Sequence, residues 1–316
     1  MSNKPQLVIC GSIAIDRIMN FSGRYRDLIK PDKLHALSLS MLLEKLDDSR
    51  GGTGANIAYN LALLGEQPVL LGSVGKDAKE YVADLTKIGI DTTNIHYSQL
   101  ATASFNVITD SEDSQVGGFY QGAMSDSESL SFSPWHNKDA LMVISAHNPS
   151  AMNRQARECQ DNGLKLVYDP GQQVSDPATD LGTGVAAAEI ILVNDYELSV
   201  LCEKLATTPE QLRTRVPILI STRGKDGSII SGTAVPEPIE VMAAKPKTLV
   251  DPTGAGDAYR AGFLYGYLRQ WDLRICGQLG AVVASFIVEQ HGTQQIFSRQ
   301  AIMNRYKDNF NEEIEL

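Results

Sequence analysis

Residues 251–263 read Asp251-Pro-Thr-Gly-Ala-Gly-Asp257-Ala-Tyr-Arg-Ala-Gly-Phe263, the most informative stretch of this 316-residue chain. Gly254 and Gly256 allow a tight turn and a close approach of the backbone to a ligand. The apolar residues after Asp257 predict a helix, and the free N–H groups of a helix start can hold a phosphate. A carboxylate beside such an anion site could take a proton from an attacking hydroxyl, which indicates phosphoryl transfer.

A second interpretation of the same stretch assigns no chemistry to it. Asp is common at helix starts because its side chain accepts a hydrogen bond from a free backbone N–H group. Asp257 would then be only a helix cap, and the two glycines would only form a turn. By itself the motif fits both interpretations equally well, because short motifs recur by chance.

The overall composition excludes several classes of protein. With 43% hydrophobic and 21% charged residues, it is ordinary for a soluble globular chain. A net charge of −10 argues against binding to nucleic acid or to acidic membranes, which requires a basic face. Four separated cysteines without a CxxC pair predict reduced thiols, as in cytoplasm, rather than zinc ligands or disulfides. The sequence shows neither a leader pattern nor an apolar run of membrane-spanning length.

Short apolar runs alternate with helical patterns along most of the chain. The runs are typical of strands buried on both faces, and they cover residues 7–10, 69–71, 141–144, 164–167, 190–193 and 218–220. Helix patterns cover residues 56–64, 78–88 and 151–162, with further helices after Asp195 and from Thr208. The alternation predicts one α/β domain over residues 1–316, a three-layer, doubly wound, mostly parallel sheet. Ligands then bind at the carboxyl ends of the strands.

Two segments, residues 13–50 and 95–133, interrupt this alternation. The second is polar and acidic, has Phe105, Phe119 and Tyr120 embedded in it, and could form a strand over residues 103–109. Long loops inside a compact domain usually serve a function, so we expect both segments to form a small β lid over a bound substrate. Two ordinary surface loops are the alternative.

Polar residues follow the first strand and precede the first long helix. Ser12 and Asp16 could bind hydroxyl groups, and carboxylates suit sugars because they accept hydrogen bonds from two neighbouring hydroxyls. Gly52 and Asn56 lie in a glycine-rich segment that lacks the GxxxxGK[ST] pattern of a phosphate loop, so we expect a hinge with polar substrate contacts. A plain turn with Asn56 as helix cap is the alternative.

Two later segments fit the nucleotide side of a phosphoryl transfer. Asn194 and Glu197 could hold a hydrated Mg²⁺ ion and nucleotide phosphates, although a helix cap followed by a first-turn acid has the same spacing. Thr222, Lys225 and backbone N–H groups of residues 221–227 could meet an ATP tail. A plain hairpin between two strands explains this last segment almost as well.

The order of these segments resembles that of the ribokinase-like (PfkB-type) carbohydrate and nucleoside kinases, over nearly the whole chain. Residues 251–257 resemble the C-terminal signature of that family, and residues 51–56 resemble the N-terminal one. Residues 194–197 resemble its Asn-x-x-Glu element. Within the family, Pro252 and the pair Gln172-Gln173 are most similar to bacterial adenosine kinases of ribokinase type.

The resemblance implies ATP-dependent transfer of the γ-phosphoryl group to the 5′-hydroxyl of adenosine, a step of purine salvage, with Asp257 as the base. It implies an anion hole from the amides of Gly254, Ala255, Gly256 and Asp257. It implies a nucleoside site of Ser12, Asp16, Gly52, Asn56, Gln172 and Gln173, with Phe105, Phe119 or Tyr120 against the purine. It implies an ATP site of Asn194, Thr222, Gly224 and Gly227, with Glu197 and Asn194 placing Mg²⁺. It also implies a homodimer and, from parts of the family, a K⁺ site near Asp251 and Thr253.

Three alternatives remain open at this point. The acceptor could be ribose or a related furanose, or another nucleoside such as guanosine or inosine. The chain could also be a non-catalytic nucleotide sensor, although a pure sensor has no need of Asp257. Arg260, one turn beyond Asp257, could reach a phosphate or could form a structural ion pair.

Overall fold

The computed structural model describes residues 4–30, 38–112 and 114–316. The strands are β1 (Gln6–Cys10), β2 (Ala14–Asn20), β3 (Lys45–Gly51), β4 (Val69–Val74), β5 (Ile95–Tyr97), β6 (Ala103–Thr109), β7 (Gln115–Tyr120), β8 (Ala140–Ile144), β9 (Lys165–Tyr168), β10 (Ile190–Asn194), β11 (Ile218–Thr222), β12 (Ser228–Ser231) and β13 (Ile239–Val241). The helices are α1 (Tyr25–Leu28), α2 (Thr53–Leu63), α3 (Lys79–Lys87), α4 (Pro149–Asn162), α5 (Leu181–Ala187), α6 (Asp195–Lys204), α7 (Pro209–Arg213), α8 (Ala255–Tyr267), α9 (Leu273–Ile287) and α10 (Arg299–Phe310).

A nine-stranded sheet runs through the middle of the described structure. Its order is β13-β12-β11-β10-β9-β8-β1-β4-β5, parallel from β11 to β5, with β12 and β13 as an antiparallel edge. Successive residues of β1 alternate between two cores, with Leu7 and Ile9 in one and Val8 and Cys10 in the other. The first core includes residues of α2, α3, α8, α9 and α10, and the second includes residues of α4 to α7. The predicted three-layer, doubly wound α/β fold is confirmed.

Local sequence signals set several helix ends. The side chain of Thr208 accepts a hydrogen bond from the Gln211 amide, the Gln211 side chain accepts one from the Thr208 amide, and Pro209 begins α7. The predicted helix start at Thr208 is therefore confirmed. At the other end of a helix, α4 stops at Gly163, whose φ of 63° is a left-handed conformation that glycine adopts without strain.

A second sheet, with the order β3-β2-β6-β7, comes from the two segments that interrupt the α/β alternation. Strands β2 and β6 are parallel, and the two outer pairs are antiparallel. Ala14 and Ala103 start the two central strands and are buried together with Met124. We call β3-β2-β6-β7 the inserted sheet. Part of its first segment, residues 31–37, lies outside the described residues.

The second of these segments is shorter than the sequence suggested. Strand β5 pairs in parallel with β4, and Ile95 is buried in the first core, so residues 95–97 belong to the nine-stranded sheet. The 3-10 turn Gly122–Ser129 also packs on β4, where Ser127 lies within hydrogen-bond distance of Ser73. The inserted sheet therefore takes only residues 103–120 of the expected 95–133. The expected boundary is wrong because pairing at a sheet edge depends on tertiary contacts.

Within the three described ranges, every helix is too short or too polar to span a lipid bilayer.

Candidate active site

Asp257 lies in the first turn of α8, at the point where the signature motif becomes helical. The helix starts at Ala255 with Gly254 as its N-cap, at a φ of 81°. A side chain at Gly254 would come within 2.8 Å of Thr293. The carboxylate of Asp257 is buried and accepts a hydrogen bond from Asn56 Nδ2 at 2.9 Å. The interpretation of Asp257 as the helix cap is therefore wrong.

The amides at the start of α8 are the candidates for the predicted anion site. A helix leaves the N–H groups of its first turn without intrahelical acceptors, and the helix dipole adds partial positive charge there. The Ala255 amide donates to the carbonyl of Pro252 at 3.2 Å. The amides of Gly256 and Asp257 follow it in the same turn, so they are the strongest candidates to bind a phosphate oxygen.

Asn56 holds Asp257 from the neighbouring helix. Helix α2 begins at Thr53 with Gly52 as N-cap, at a φ of 95°, so the alternative of Asn56 as the cap is wrong. The side chain of Asn56 is buried, and its Oδ1 accepts hydrogen bonds from Thr293 Oγ1 at 2.9 Å and from Gln294 Nε2 at 3.2 Å. Asn56 thus links α2, α8 and the segment after α9. It orients the Asp257 carboxylate.

Different parts of its surroundings shift the pKa of the Asp257 carboxyl in opposite directions. Burial raises the pKa, because a charged group is costly in a region without water. The positive charge of Arg260 and the hydrogen bond from Asn56 lower it. The net shift is upward, which suits a group that must accept a proton.

Ser12 and Asp16 lie on the other side of Asp257, at the carboxyl end of β1 and on β2. Ser12 Oγ accepts a hydrogen bond from the Thr53 amide at 3.0 Å, so this hydroxyl helps to begin α2. Asp16 has a pKa raised to about 6, first by burial and then by the negative charge of Asp257. The second effect requires the two carboxylates to be near each other. Gly51 leaves the room for Asp16 that a side chain would fill.

The inserted sheet places two aromatic rings in the same row as Asp16. Asp16 pairs with Phe105 across β2 and β6, and Phe105 pairs with Phe119 across β6 and β7, so the three side chains share one face. Tyr120 is the next residue and points to the opposite face. Phe105 is 39% exposed and Phe119 is 41% exposed. The alternative that these rings form the core of the lid is therefore wrong.

Two further carboxyl groups, those of Asp169 and Glu197, and the guanidinium of Arg260 form a cluster with Asp257. Arg260 Nη2 donates to Asp169 Oδ1 at 2.6 Å, and Arg260 Nε lies 2.5 Å from Asp169 Oδ2. Arg260 Nη2 is also 3.9 Å from Glu197 Oε2. Burial raises the pKa of the Asp169 carboxyl, and the charge of Arg260 opposes that rise. The structural ion pair that the sequence left open for Arg260 is thus present.

Asn194 and Glu197 form a reciprocal capping box at the start of α6. Asn194 Oδ1 accepts from the Glu197 amide at 2.7 Å, and Glu197 Oε2 accepts from the Asn194 amide at 2.8 Å. The helix-cap alternative for this pair is therefore confirmed. Glu197 can still bind another group, because its carboxylate has two oxygens and the capping bond uses only Oε2.

The charge balance of the site fits a bound Mg²⁺ ion. Asp257, Asp169 and Glu197 bring three carboxyl groups against the one guanidinium of Arg260. In the described part of the chain, no three His, Cys, Asp or Glu residues are arranged to bind a metal directly. Carboxylate oxygens are ligands that suit Mg²⁺, which keeps most of its waters and touches few protein groups.

Gln172 and Gln173 lie in the 3-10 turn Gly171–Ser175, directly after β9 and Asp169. Gln172 is exposed and Gln173 is half-buried. The turn starts at Gly171 with a φ of 49° and packs against α6. Both side chains are therefore at the carboxyl edge of the sheet, near the carboxylate cluster.

A cavity of about 560 Å³ opens on the other side of the anion site. Thr222, Gly224 and Gly227 line it together with Ala255 and Gly256. Strands β11 and β12 are antiparallel, so the predicted hairpin at residues 221–227 is also present. The volume lies in the range of small-molecule sites, and the wall is mostly apolar. The cavity suits a nucleotide with its phosphates directed at the start of α8.

Sequence reasoning missed several residues of the site. The cavity is also lined by Tyr259, by residues 243–246 and by small side chains of α9 such as Ala281 and Ala284. Sequence reasoning assigned no role to Asp169, although a lone Asp after a buried strand is a usable signal. Thr293 also had no predicted role, because its contact with Asn56 arises only through the fold.

Comparisons with known proteins identify the family of this chain. Residues 6–300 match the model of the "pfkB family carbohydrate kinase". A nucleoside kinase of Methanothermobacter thermautotrophicus is 33% identical over 300 residues, which are 93% of each chain. The structure of Burkholderia thailandensis nucleoside kinase in complex with inosine superposes with a TM-score of 0.83 at 29% identity, over 98% of this chain and 100% of the other.

A second solved structure, the nucleoside kinase of Methanocaldococcus jannaschii, has a TM-score of 0.84 at 27% identity and covers 96% of this chain and 98% of the other. The match to the family model extends over nearly the whole chain and includes both glycine-rich segments of the site. The chain therefore belongs to the pfkB family of carbohydrate kinases, and it is a phosphotransferase that acts on a hydroxyl acceptor.

Proposed function

We propose that this protein transfers the γ-phosphoryl group of ATP to the 5′-hydroxyl of adenosine, giving AMP and ADP. One observation carries the proposal. Asp257 directly follows Gly256, which lines a cavity of about 560 Å³, and its charge acts on Asp16, which shares a face of the inserted sheet with Phe105 and Phe119. A carboxylate next to two exposed rings matches a ligand that has vicinal hydroxyls at one end and a flat base at the other.

The nucleotide half of the reaction uses the cavity and the start of α8. The adenine of ATP would lie among the apolar residues, and its phosphates would extend past Thr222 and Gly224 to the amides of Gly256 and Asp257. These amides are fixed before the substrate binds. They therefore stabilise the negative charge of the transferred group without reorganisation.

The acceptor half uses Asp257 as the general base. The 5′-oxygen attacks the γ-phosphorus, the bond from that phosphorus to the β-phosphate oxygen breaks, and the proton of the 5′-hydroxyl passes to Asp257. Asn56 keeps the carboxylate in place through its hydrogen bond of 2.9 Å. Asp16 would accept hydrogen bonds from the ribose 2′- and 3′-hydroxyls.

Magnesium belongs to the same proposal. Mg²⁺ supplies charge neutralisation for the ATP phosphates, and Glu197 is the residue that would hold one of its waters. The carboxylate oxygen that the capping box does not use is available for that contact.

The inserted sheet would act as a lid over the acceptor. Its four strands arise from the two interruptions of the α/β alternation, and they carry Asp16 and the two rings. Closure of such an element excludes water, which would otherwise compete with the 5′-hydroxyl for the phosphoryl group.

Inosine is a second candidate acceptor, because the B. thailandensis structure is described in complex with inosine. A screen of ADP production with adenosine, inosine, guanosine and ribose, each at several concentrations, separates the candidates. We expect adenosine to have the highest kcat/KM. Preference for inosine or for ribose would overturn the choice of adenosine while leaving the kinase assignment intact.

A further inference from the structure

Arg260 reaches back from α8 to the anion site. Side chains in an α-helix lean toward its N-terminus, so Arg260 covers the residue four positions earlier, Gly256. A Cβ atom at Gly256 would lie 2.6 Å from Arg260 Nη1. The guanidinium therefore occupies the space that a side chain at position 256 would need. Arg260 and the phosphate-binding amides are direct neighbours.

Asp169 contacts the edge of the Arg260 guanidinium that carries Nε and Nη2, and leaves Nη1 on the other side. Nε and Nη2 of Arg260 face the two oxygens of Asp169 at 2.5 and 2.6 Å, and Nη2 is 3.9 Å from Glu197. The hydrogen bond from Nη2 and the close ion-pair approach of Nε hold the guanidinium against Asp169. Among the described residues, Nη1 has no acceptor in the protein. It is the nitrogen beside Gly256.

The charges around Arg260 indicate why a cation is needed at this point. Asp257, Asp169 and Glu197 would repel the phosphates of ATP, and each of them contributes to the electrostatic surroundings of Arg260. A purely structural pair between Arg260 and Asp169 would involve Nη2 and Nε. It would not account for the third nitrogen at the anion site, nor for the glycine that makes room for it.

We propose that Arg260 is a catalytic residue whose Nη1 donates a hydrogen bond to the phosphoryl group in transfer, and that Asp169 is the positioning residue that aims it. The proposal rests on the phosphoryl transfer described above and holds for any acceptor. In the step, the acceptor oxygen–phosphorus bond forms, the bond to the leaving ADP oxygen breaks, and the acceptor proton goes to Asp257. Arg260 keeps all of its protons throughout.

The expected contribution follows from the distribution of charge. In phosphoryl transfer the negative charge spreads over the three equatorial oxygens of a loose transition state. A donor already fixed at that place stabilises the transition state more than bound ATP. Removal of one such donor lowers kcat by roughly 10²–10³-fold in comparable sites.

Arg260→Lys is the first variant to test. It keeps a buried positive charge beside Asp169, so the fold is retained, but a single ammonium group cannot meet both Asp169 and the phosphoryl group. We expect kcat to fall by about 10²-fold, with KM for ATP changed by less than about 3-fold. Arg269→Gln is the matched control. It breaks an ion pair with Glu66 beyond the C-terminal end of α8, whereas the anion site lies at the start of that helix. Its kcat should equal that of the wild type.

The double variant Arg260→Gln with Asp169→Asn removes both charges together and leaves neither group buried without a partner. We expect the same loss of kcat as in the single variant, or a larger one. Wild-type kcat in either folded variant would overturn the proposal.

Binding of a transition-state mimic separates a catalytic from a structural role. Titration calorimetry would compare the affinity for ADP with aluminium fluoride against that for the unreactive analogue AMP-PNP, with Mg²⁺ and acceptor present. Transition-state mimics report contacts that ground-state ligands lack. We expect Arg260→Lys to lose affinity for the mimic by about 10²-fold and for AMP-PNP by less than about 3-fold. Equal losses for both ligands would overturn the proposal.

Failure of the proposed function would give a different result from failure of the proposed role of Arg260. It would appear in the wild type as turnover with none of the acceptors in the screen. An Arg260→Lys protein with full turnover would remove only the role of Arg260.

Discussion

Asp257 shows how one residue combines two requirements. It must be close to the anion site, which its place in the first turn of α8 ensures, and it must stay oriented, which Asn56 ensures from α2. The hydrogen bond from Asn56 also lowers the pKa of Asp257, against the larger effect of burial. The balance leaves the carboxyl with a raised pKa and a fixed direction.

Substitution of Asp257 by Asn is the direct test of the base. The shape and the hydrogen bond to α2 can be kept, while the proton acceptor is lost. We expect kcat to fall by roughly 10²–10⁴-fold, with little change in thermal unfolding. Steady-state kinetics and a melting curve on the same preparation check both parts. Near-normal turnover in a folded variant would contradict the assignment.

Asp16 predicts a pH dependence of acceptor binding. Its pKa is raised to about 6, so the carboxylate that accepts hydrogen bonds is present above that pH and is protonated below it. We expect KM for adenosine to increase as the pH falls through about 6. Asp16→Asn should have a high KM for adenosine at neutral pH, and this KM should not increase further as the pH falls through about 6. An unchanged pH profile of KM in Asp16→Asn would refute the role.

At the scale of elements, glycines determine how closely the phosphate-binding helix approaches its neighbours. Gly254 has a φ of 81° and lies against Thr293, whose hydroxyl in turn donates to Asn56. A side chain at position 254 would strain the backbone and displace Thr293, which contacts Asn56. Gly163 at the end of α4 offers a comparison, because its φ is 63° and nothing lies within 4 Å of the position of a Cβ.

We therefore predict different outcomes for two alanine substitutions. Gly163→Ala should lower the free energy of unfolding by about 1 kcal/mol through backbone strain, with kcat unchanged. Gly254→Ala should show the same strain and, in addition, a loss of kcat, because Thr293 must move. Chemical denaturation and kinetics of both variants check this. Equal kcat in the two variants would mean that the contact with Thr293 has no functional consequence.

Glu197 has a structural role in the capping box of α6 and a proposed electrostatic role near Mg²⁺, and one substitution can separate the two. The box of α7 uses Gln211 in the same place, which shows that an amide oxygen suffices for the cap. Glu197→Gln should therefore keep the helix start while removing one negative charge. We expect a higher Mg²⁺ concentration for half-maximal activity and an almost unchanged melting temperature. An unaltered Mg²⁺ requirement would remove Glu197 from the metal site.

At the scale of the whole molecule, the site is made by the meeting of three parts. The nine-stranded sheet provides the ends of β1, β9, β10 and β11, the helix layer provides the start of α8, and the inserted sheet provides a face with Asp16 and Phe105. Closure of the inserted sheet over the acceptor would join these parts.

The two faces of the inserted sheet make a matched pair of predictions. If the face with Asp16 covers the nucleoside, Phe105→Ala should weaken adenosine binding by about 1–3 kcal/mol, or roughly 5- to 150-fold, through loss of stacking on the base. Tyr120 points to the opposite face, so Tyr120→Ala should leave KM for adenosine near the wild-type value. The reverse pattern would show that the other face covers the acceptor.

Local patterns predicted much of the fold because the strands and helices follow from periodicity over a few residues. Each predicted apolar run from residues 7–10 to residues 218–220 coincides with a strand, apart from Leu164, which directly precedes β9. The hairpin at residues 221–227 is present as well. The sequence failed at β5, whose three residues carry little pattern. It also left open whether Phe119 and Tyr120 act together, since pairing between strands decides which face each one occupies.

The amino-acid sequence by itself determined the class of fold and the glycine-rich helix start, and the family resemblance predicted Asp257 as the base. These depend on residues within one or two turns of each other. Only the tertiary structure decided what surrounds the base. Asn56 and Asp257 are 201 positions apart, and Asp169 and Arg260 are 91 positions apart. Hydrogen bonds and ion pairs act over about 3–4 Å, so such partners meet only when the sheet order brings their elements together.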